Sequence, residues 1–179
     1  MTAPRVVGLD LSLCSTGIAI AAHDSVTTHR IKPRMNGHER LAFIVDSVRS
    51  HTAGAQLVVM EGPAYGVKGG KAHEMAGIWW IVRHQLWADD LPVAVASPSN
   101  VKQYATGSGN ADKDRVLAAA IRRFPDVDVQ GNDEADGLWL AAAGRRWLGH
   151  PIDTVPQANH AALNKIEWPD IDPAELAPA

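Results

Sequence analysis

Two short apolar runs open the chain, Arg5 to Leu13 (RVVGLDLSL) and Thr16 to Ala22 (TGIAIAA), with only Cys14 and Ser15 between them. Runs this short and rich in valine and isoleucine read as strands, and so tight a link makes them antiparallel neighbours. A weaker alternation from Val26 to Ile31 follows a His23-Asp24-Ser25 turn and adds a third strand to the meander. Helical spacing of Leu41, Ile44, Val45 and Val48 then predicts a helix from Asn36 to Thr52, stopped by Gly54. Gln56 to Met60 (QLVVM) is a buried strand running into Glu61-Gly62-Pro63. A helix over about 71–88, a strand over 92–96, and helices near 98–105, 112–124 and 133–148 complete the reading. Strands in a meander, followed by strands alternating with helices, predict an α/β fold: a mixed sheet flanked by helices.

Against this framework four carboxylates stand out. Asp10 lies between Leu9 and Leu11 in what reads as the middle of a central strand, where a charge is costly to desolvate without a positive partner. Glu61 directly follows an apolar strand, at the edge where α/β sheets build their sites. Asp133 and Asp136 are three residues apart at the start of the last core helix and share one face. Oxygen-only ligands of this kind suit Mg²⁺ or Mn²⁺ and do not suit zinc. Two such ions can activate a water and stabilise a leaving oxygen in phosphodiester cleavage. Each acid also has a plainer role: Asp133 and Asp136 as helix-start acids, Glu61 as a loop acid.

Composition narrows the class. At 179 residues, 46% apolar and 21% charged, the chain can bury one real core. No run approaches the roughly 18 apolar residues of a membrane span, and MTAPRVVG lacks the apolar centre of a signal peptide. A single cysteine, Cys14, supports neither an internal disulfide nor a CxxC metal site. The expected setting is a reducing cytoplasm, a host's cytoplasm if the gene is a phage's. The net charge of −3 conceals an asymmetry. Residues 150–179 carry five carboxylates, one lysine and five prolines, and read as an extended or partly disordered acidic tail behind a domain over 1–149. The remaining body has a net charge of +1, or +5 once the four site acids are neutralised.

The segments GLDLSLCSTGIAI, VVMEGP, PSNVKQYATGSGNADKDRV and NDEADGLWLAAAG, in that order over roughly residues 5–148, resemble the RuvC-type Holliday junction resolvases. The resemblance implies a ribonuclease-H-like fold, a homodimer, and Mg²⁺-dependent endonuclease action on branched DNA, the activity of a crossover junction endodeoxyribonuclease. By position it makes Asp10, Glu61, Asp133 and Asp136 the catalytic, metal-holding carboxylates. Lys102 and Lys113 match the family's basic positions around the glycine break Gly107-Ser108-Gly109. Lys113 opens a helix, where a cation opposes the macrodipole unless a phosphate shares that end.

Beside Glu61, the stretch Tyr65-Gly66-Val67-Lys68-Gly69-Gly70-Lys71 reads as a basic loop. Lys68 and Lys71 would meet the DNA backbone, and Tyr65 would stack on a base, although the family's aromatic stands about one position away. The helix after this loop has two apolar sides. One carries Ala72, Met75, Ala76, Trp79, Val82 and Leu86; the other carries Trp80, Ile81, His84 and Trp87. The second side needs its own cover, and in RuvC-type proteins the corresponding helix lies at the dimer interface. Three other readings stand beside junction cleavage: a nuclease for flaps and replication forks, an inactive branched-DNA-binding module, and a sugar-kinase or actin-like phosphotransferase. The last would need a second lobe for which the chain is too short.

Overall fold

The structure is a computed structural model describing residues 3–63 and 70–176, with the side chains of the second helix described from Ala72 onward. Its centre is a five-stranded mixed sheet in the order β3-β2-β1-β4-β5. The strands are β1 (Val6–Asp10), β2 (Thr16–Ala22), β3 (Ser25–Ile31), β4 (Leu57–Glu61) and β5 (Val93–Ala96). The predicted meander is present: β1 pairs antiparallel with β2, and β2 with β3. Beyond it β4 and β5 add in parallel. One expectation is corrected at the central strand. Asp10 is the last residue of β1, not its middle, so its carboxylate sits at the end of the strand.

Helices α1 (Gly37–Thr52) and α2 (Gly70–Ala88) cover one face of the sheet. Ile44 and Val48 of α1, with Ile78, Val82 and Leu86 of α2, pack there against Val7, Leu9, Val58 and Met60. The buried stripe of α2 therefore runs through Ile78, while Ala76 is exposed, a rotation from the stripe read in the sequence. Helices α3 (Pro98–Thr106), α4 (Lys113–Arg123) and α5 (Asn132–Trp147) build the other layer. Local chemistry starts two of them. The Ser97 hydroxyl accepts from the Asn100 N–H at 3.3 Å with Pro98 in the first turn, and the Asp112 carboxylate accepts from the Arg115 N–H at 2.8 Å.

Helix α5 lies almost on the backbone of the sheet. A Cβ on Gly8 would fall 2.0 Å from the Gly137 carbonyl oxygen, and one on Gly17 would fall 1.8 Å from that of Asp133. Only a hydrogen at these two positions permits the approach.

The acidic, proline-rich segment after 149 does not form the expected extended or disordered tail. Through residue 166 and on to Trp168 it packs on the body, with Val155, Ala162 and Ile166 buried and a 3-10 helix over Gln157–Lys165. Asp153 is buried between the Tyr104 hydroxyl, which donates to it at 2.7 Å, and the Arg146 guanidinium at 2.6 Å. Glu167 pairs antiparallel with Val95 and caps the outer edge of β5. Trp168 stacks on Trp147 with ring centroids 4.7 Å apart. Counting prolines and acids overlooked the apolar residues between them, and Asp153 has a base to neutralise it.

A methyl group at residue 8 must push α5 away from the sheet. Gly8→Ala is expected to lower unfolding stability by about 3 kcal/mol, read by urea denaturation; an unchanged midpoint would contradict the packing described.

Candidate active site

The sheet's register aligns the chemistry. Asp10 pairs with Gly17, and Glu61 ends the parallel neighbour β4 opposite Ala96. On this face Gly8 and Gly17 meet α5, so side chains at the strand ends face its first turns. Oxygens of Asp10, Glu61 and Asp136 consequently all lie within 4.8 Å of one another. Three segments separated in sequence deliver one carboxylate each to a single point. Asp133, predicted with them, stands outside that group and receives the Ser15 hydroxyl on its Oδ2 at 2.5 Å.

Burial and mutual repulsion act together here. Burial raises the Asp10 carboxyl well above the ordinary range, and Glu61, Asp136 and Asp133 raise it further. Glu61 is pushed up to about 7, first by burial and then by Asp136. Asp136 rises to about 6, chiefly through burial; Lys113 and Lys102 pull it back, and Asp133 adds to the rise. Lys113 also acts on Asp10 and Glu61, and Lys102 on Glu61. Among the described residues, neither lysine comes within salt-bridge distance of the three acids. The bases flank the cluster without filling it. Such a set of hard oxygens, crowded and not neutralised by contact, fits a divalent cation.

Two contributors escaped the sequence reading. The Trp79 indole N–H donates to the Glu61 carbonyl at 2.9 Å and fixes the backbone that carries one of the acids. Trp79 and Trp80, with Met75 and Pro63, also line a depression of about 420 Å³ that opens beside Asp10 and Glu61. The other contributor is Ser15. Neither contact leaves a local pattern, because each joins residues from different elements. Tyr65 and Lys68 lie outside the described residues, as does the side chain of Lys71. On the far side of α2, Trp80 (66%), Ile81 (44%) and Trp87 (69%) are exposed, so the second apolar side is real and uncovered in the single chain.

No family model matches the chain. Curated relatives do. The chain is 41% identical over 61 residues to the crossover junction endodeoxyribonuclease RuvC of Synechococcus sp. (strain CC9311), a match covering 34% of this chain and 37% of that protein. It thus spans just over a third of the length of the two Synechococcus relatives it matches. The protein of the same name from Nocardia farcinica is 28% identical over 150 residues, 76% of this chain and 78% of its own. Among solved structures, Thermus thermophilus RuvC in complex with Holliday junction substrate superposes with a TM-score of 0.63 at 18% identity, over 90% of this chain and 95% of that one. The chain is RuvC-like in sequence and in fold. The ribonuclease-H-like architecture expected from the motifs is the one observed, and Asp10, Glu61 and Asp136 meet within the RuvC-type sheet.

The raised pKa values of Glu61 and Asp136 give the metal-free protein a pH dependence whose sign is fixed. Glu61 and Asp136 hold their protons more tightly folded than unfolded, where the ordinary values are 4.5 and 3.8. Their contribution to stability is complete below those values and is lost as pH rises through about 6 and about 7. Thermal melts without metal are expected to show a falling midpoint from about pH 5 to about pH 8, and excess Mg²⁺ to flatten the fall. A midpoint that climbs over this range would contradict the assignment.

Proposed function

We propose that this chain is a divalent-cation-dependent endonuclease that cuts branched DNA, Holliday junctions included. The convergence of Asp10, Glu61 and Asp136 at the open end of the sheet, with bases near but not in contact, carries the reading. The names of the curated relatives and the junction-bound Thermus thermophilus neighbour support it.

In this reading Asp10, Glu61, Asp133 and Asp136 hold two Mg²⁺ ions, with Mn²⁺ able to replace them. Cations so held supply Lewis-acid charge for hydrolysis of a phosphodiester, leaving a 5′-phosphate and a 3′-hydroxyl. Around them the chain's own groups handle the substrate. Lys113 at the start of α4 and Lys102 on α3 attract the scissile strand's phosphates toward the carboxylates, whose charge would otherwise repel them. Lys68 and Lys71 extend the phosphate contacts, and Tyr65 offers a ring for stacking. Trp79 keeps Glu61 in place through its carbonyl.

A four-way junction presents two equivalent strands, so symmetric cutting calls for two active centres. The exposed Trp80, Ile81 and Trp87 on α2 offer the apolar surface for a homodimer. Among the described residues no helix is long and apolar enough to cross a membrane. The proposed place of work is the cytoplasm, where the DNA is.

Asp10→Asn and Asp136→Asn keep the shape of the side chains and remove their charge. Each is expected to lower cleavage of a synthetic Holliday junction in Mg²⁺ by at least about a hundredfold, while gel-shift binding of the same junction persists. Symmetric nicks by the unaltered protein complete the expected pattern. Undiminished cutting by both variants would overturn the proposal.

A further inference from the structure

We propose that Ser15 is a positioning residue that divides the four carboxylates into two unequal cation positions. This rests on the reading of those acids as cation ligands and assigns a task to a side chain outside them.

Asp10, Glu61 and Asp136 already form a compact set of oxygens within 4.8 Å. Asp133 does not join it, although it lies one turn away from Asp136 on the same face of α5. The Ser15 hydroxyl donates to Asp133 Oδ2 at 2.5 Å, the length of a charge-assisted O–H···O⁻ bond. One oxygen of Asp133 is thereby engaged and oriented, and Oδ1 is left to act as a single ligand atom. The compact set makes a three-carboxylate position; Asp133 makes a second, poorer in charge and steered by a serine.

The loop that presents Ser15 is built for constancy. The Ser12 N–H donates to Thr16 Oγ1 at 3.0 Å, and the Thr16 hydroxyl returns a bond to the Ser12 carbonyl at 2.8 Å. The Cys14 N–H donates to Ser12 Oγ at 3.3 Å, and Thr16 itself is fully buried. The turn between β1 and β2 is thus closed on itself on both sides of Ser15. Ser15 is only half-buried, and its hydroxyl has no other partner among the described residues. The bond to Asp133 is not needed to satisfy a buried group, and its consequence is the direction in which Asp133 points. Outer partners that orient metal-binding carboxylates change cation affinity by about 10- to 100-fold when removed.

The test is a Mn²⁺ titration of the metal-free full chain, with bound ion counted by loss of the free-Mn²⁺ resonance signal, for the unaltered protein, Ser15→Ala, Ser15→Thr and Asp136→Asn. The unaltered protein is expected to take up two ions with separable affinities. Ser15→Ala is expected to weaken the second by about tenfold or more, leaving the first affinity and the metal-free melting midpoint unchanged. Ser15→Thr retains a hydroxyl and should restore the second event, whereas Asp136→Asn should remove the first. Two ions bound by Ser15→Ala as in the unaltered protein, or both weakened alike, would overturn the role of Ser15 and leave the cation site standing. A single ion on the unaltered protein would do the same. No ion at all would overturn the cation reading and the role of Ser15 together.

Discussion

The close seating of α5 on β1 and β2 is the constraint from which the site follows. Two glycines, Gly8 and Gly17, leave the sheet without side chains where the helix crosses it, and backbone meets backbone. Had either carried a methyl group, α5 would stand farther off and Asp136 could not join Asp10 and Glu61. The apolar residues of this layer, among them Leu138, Trp139 and Leu140, are fully buried and hold the helix down. Packing therefore sets the distances between the charges.

That arrangement has an electrostatic cost the fold must carry. Like charges within 4.8 Å repel by about 3–4 kcal/mol per pair at an effective dielectric constant of about 20. Three ionised acids would together cost on the order of 10 kcal/mol, comparable with the whole stability of a domain. The raised pKa values of all three residues are the molecule's response without a cation: protons are retained where charge cannot be sustained. A structural ion-pair network would have set a base in contact. Arg146 does this for the buried Asp153, and the contrast between that residue and the carboxylate cluster separates a neutralised anchor from a site kept open for a cation.

Much of the fold was legible because its signals are local. The meander showed in β-branched runs and short links, the helices in apolar spacing and in Ser97 and Asp112 as starts, and each strand and helix before residue 149 appeared within a few residues of its expected place. Oxygens of three of the four carboxylates lie together, and Asp133 stands outside that group. What the sequence hid was contact between distant segments. The Ser15–Asp133 bond spans 118 positions and the Trp79–Glu61 bond joins a helix to a strand end. The segment after 149 misled because composition averages over residues: Val155, Ala162 and Ile166 lie among prolines and acids and are nonetheless buried. The exposed tryptophans of α2 were visible as a second apolar side, since a helix face of that kind shows in the spacing itself.

The central claim is that three carboxylates from β1, β4 and α5 enclose a divalent cation. Diffraction from crystals soaked in Mn²⁺, recorded where manganese scatters anomalously, tests it most directly. The account predicts an anomalous peak bounded by oxygens of Asp10, Glu61 and Asp136. A crystal without that peak, with the Lys113 ammonium lying between the three side chains, would contradict it.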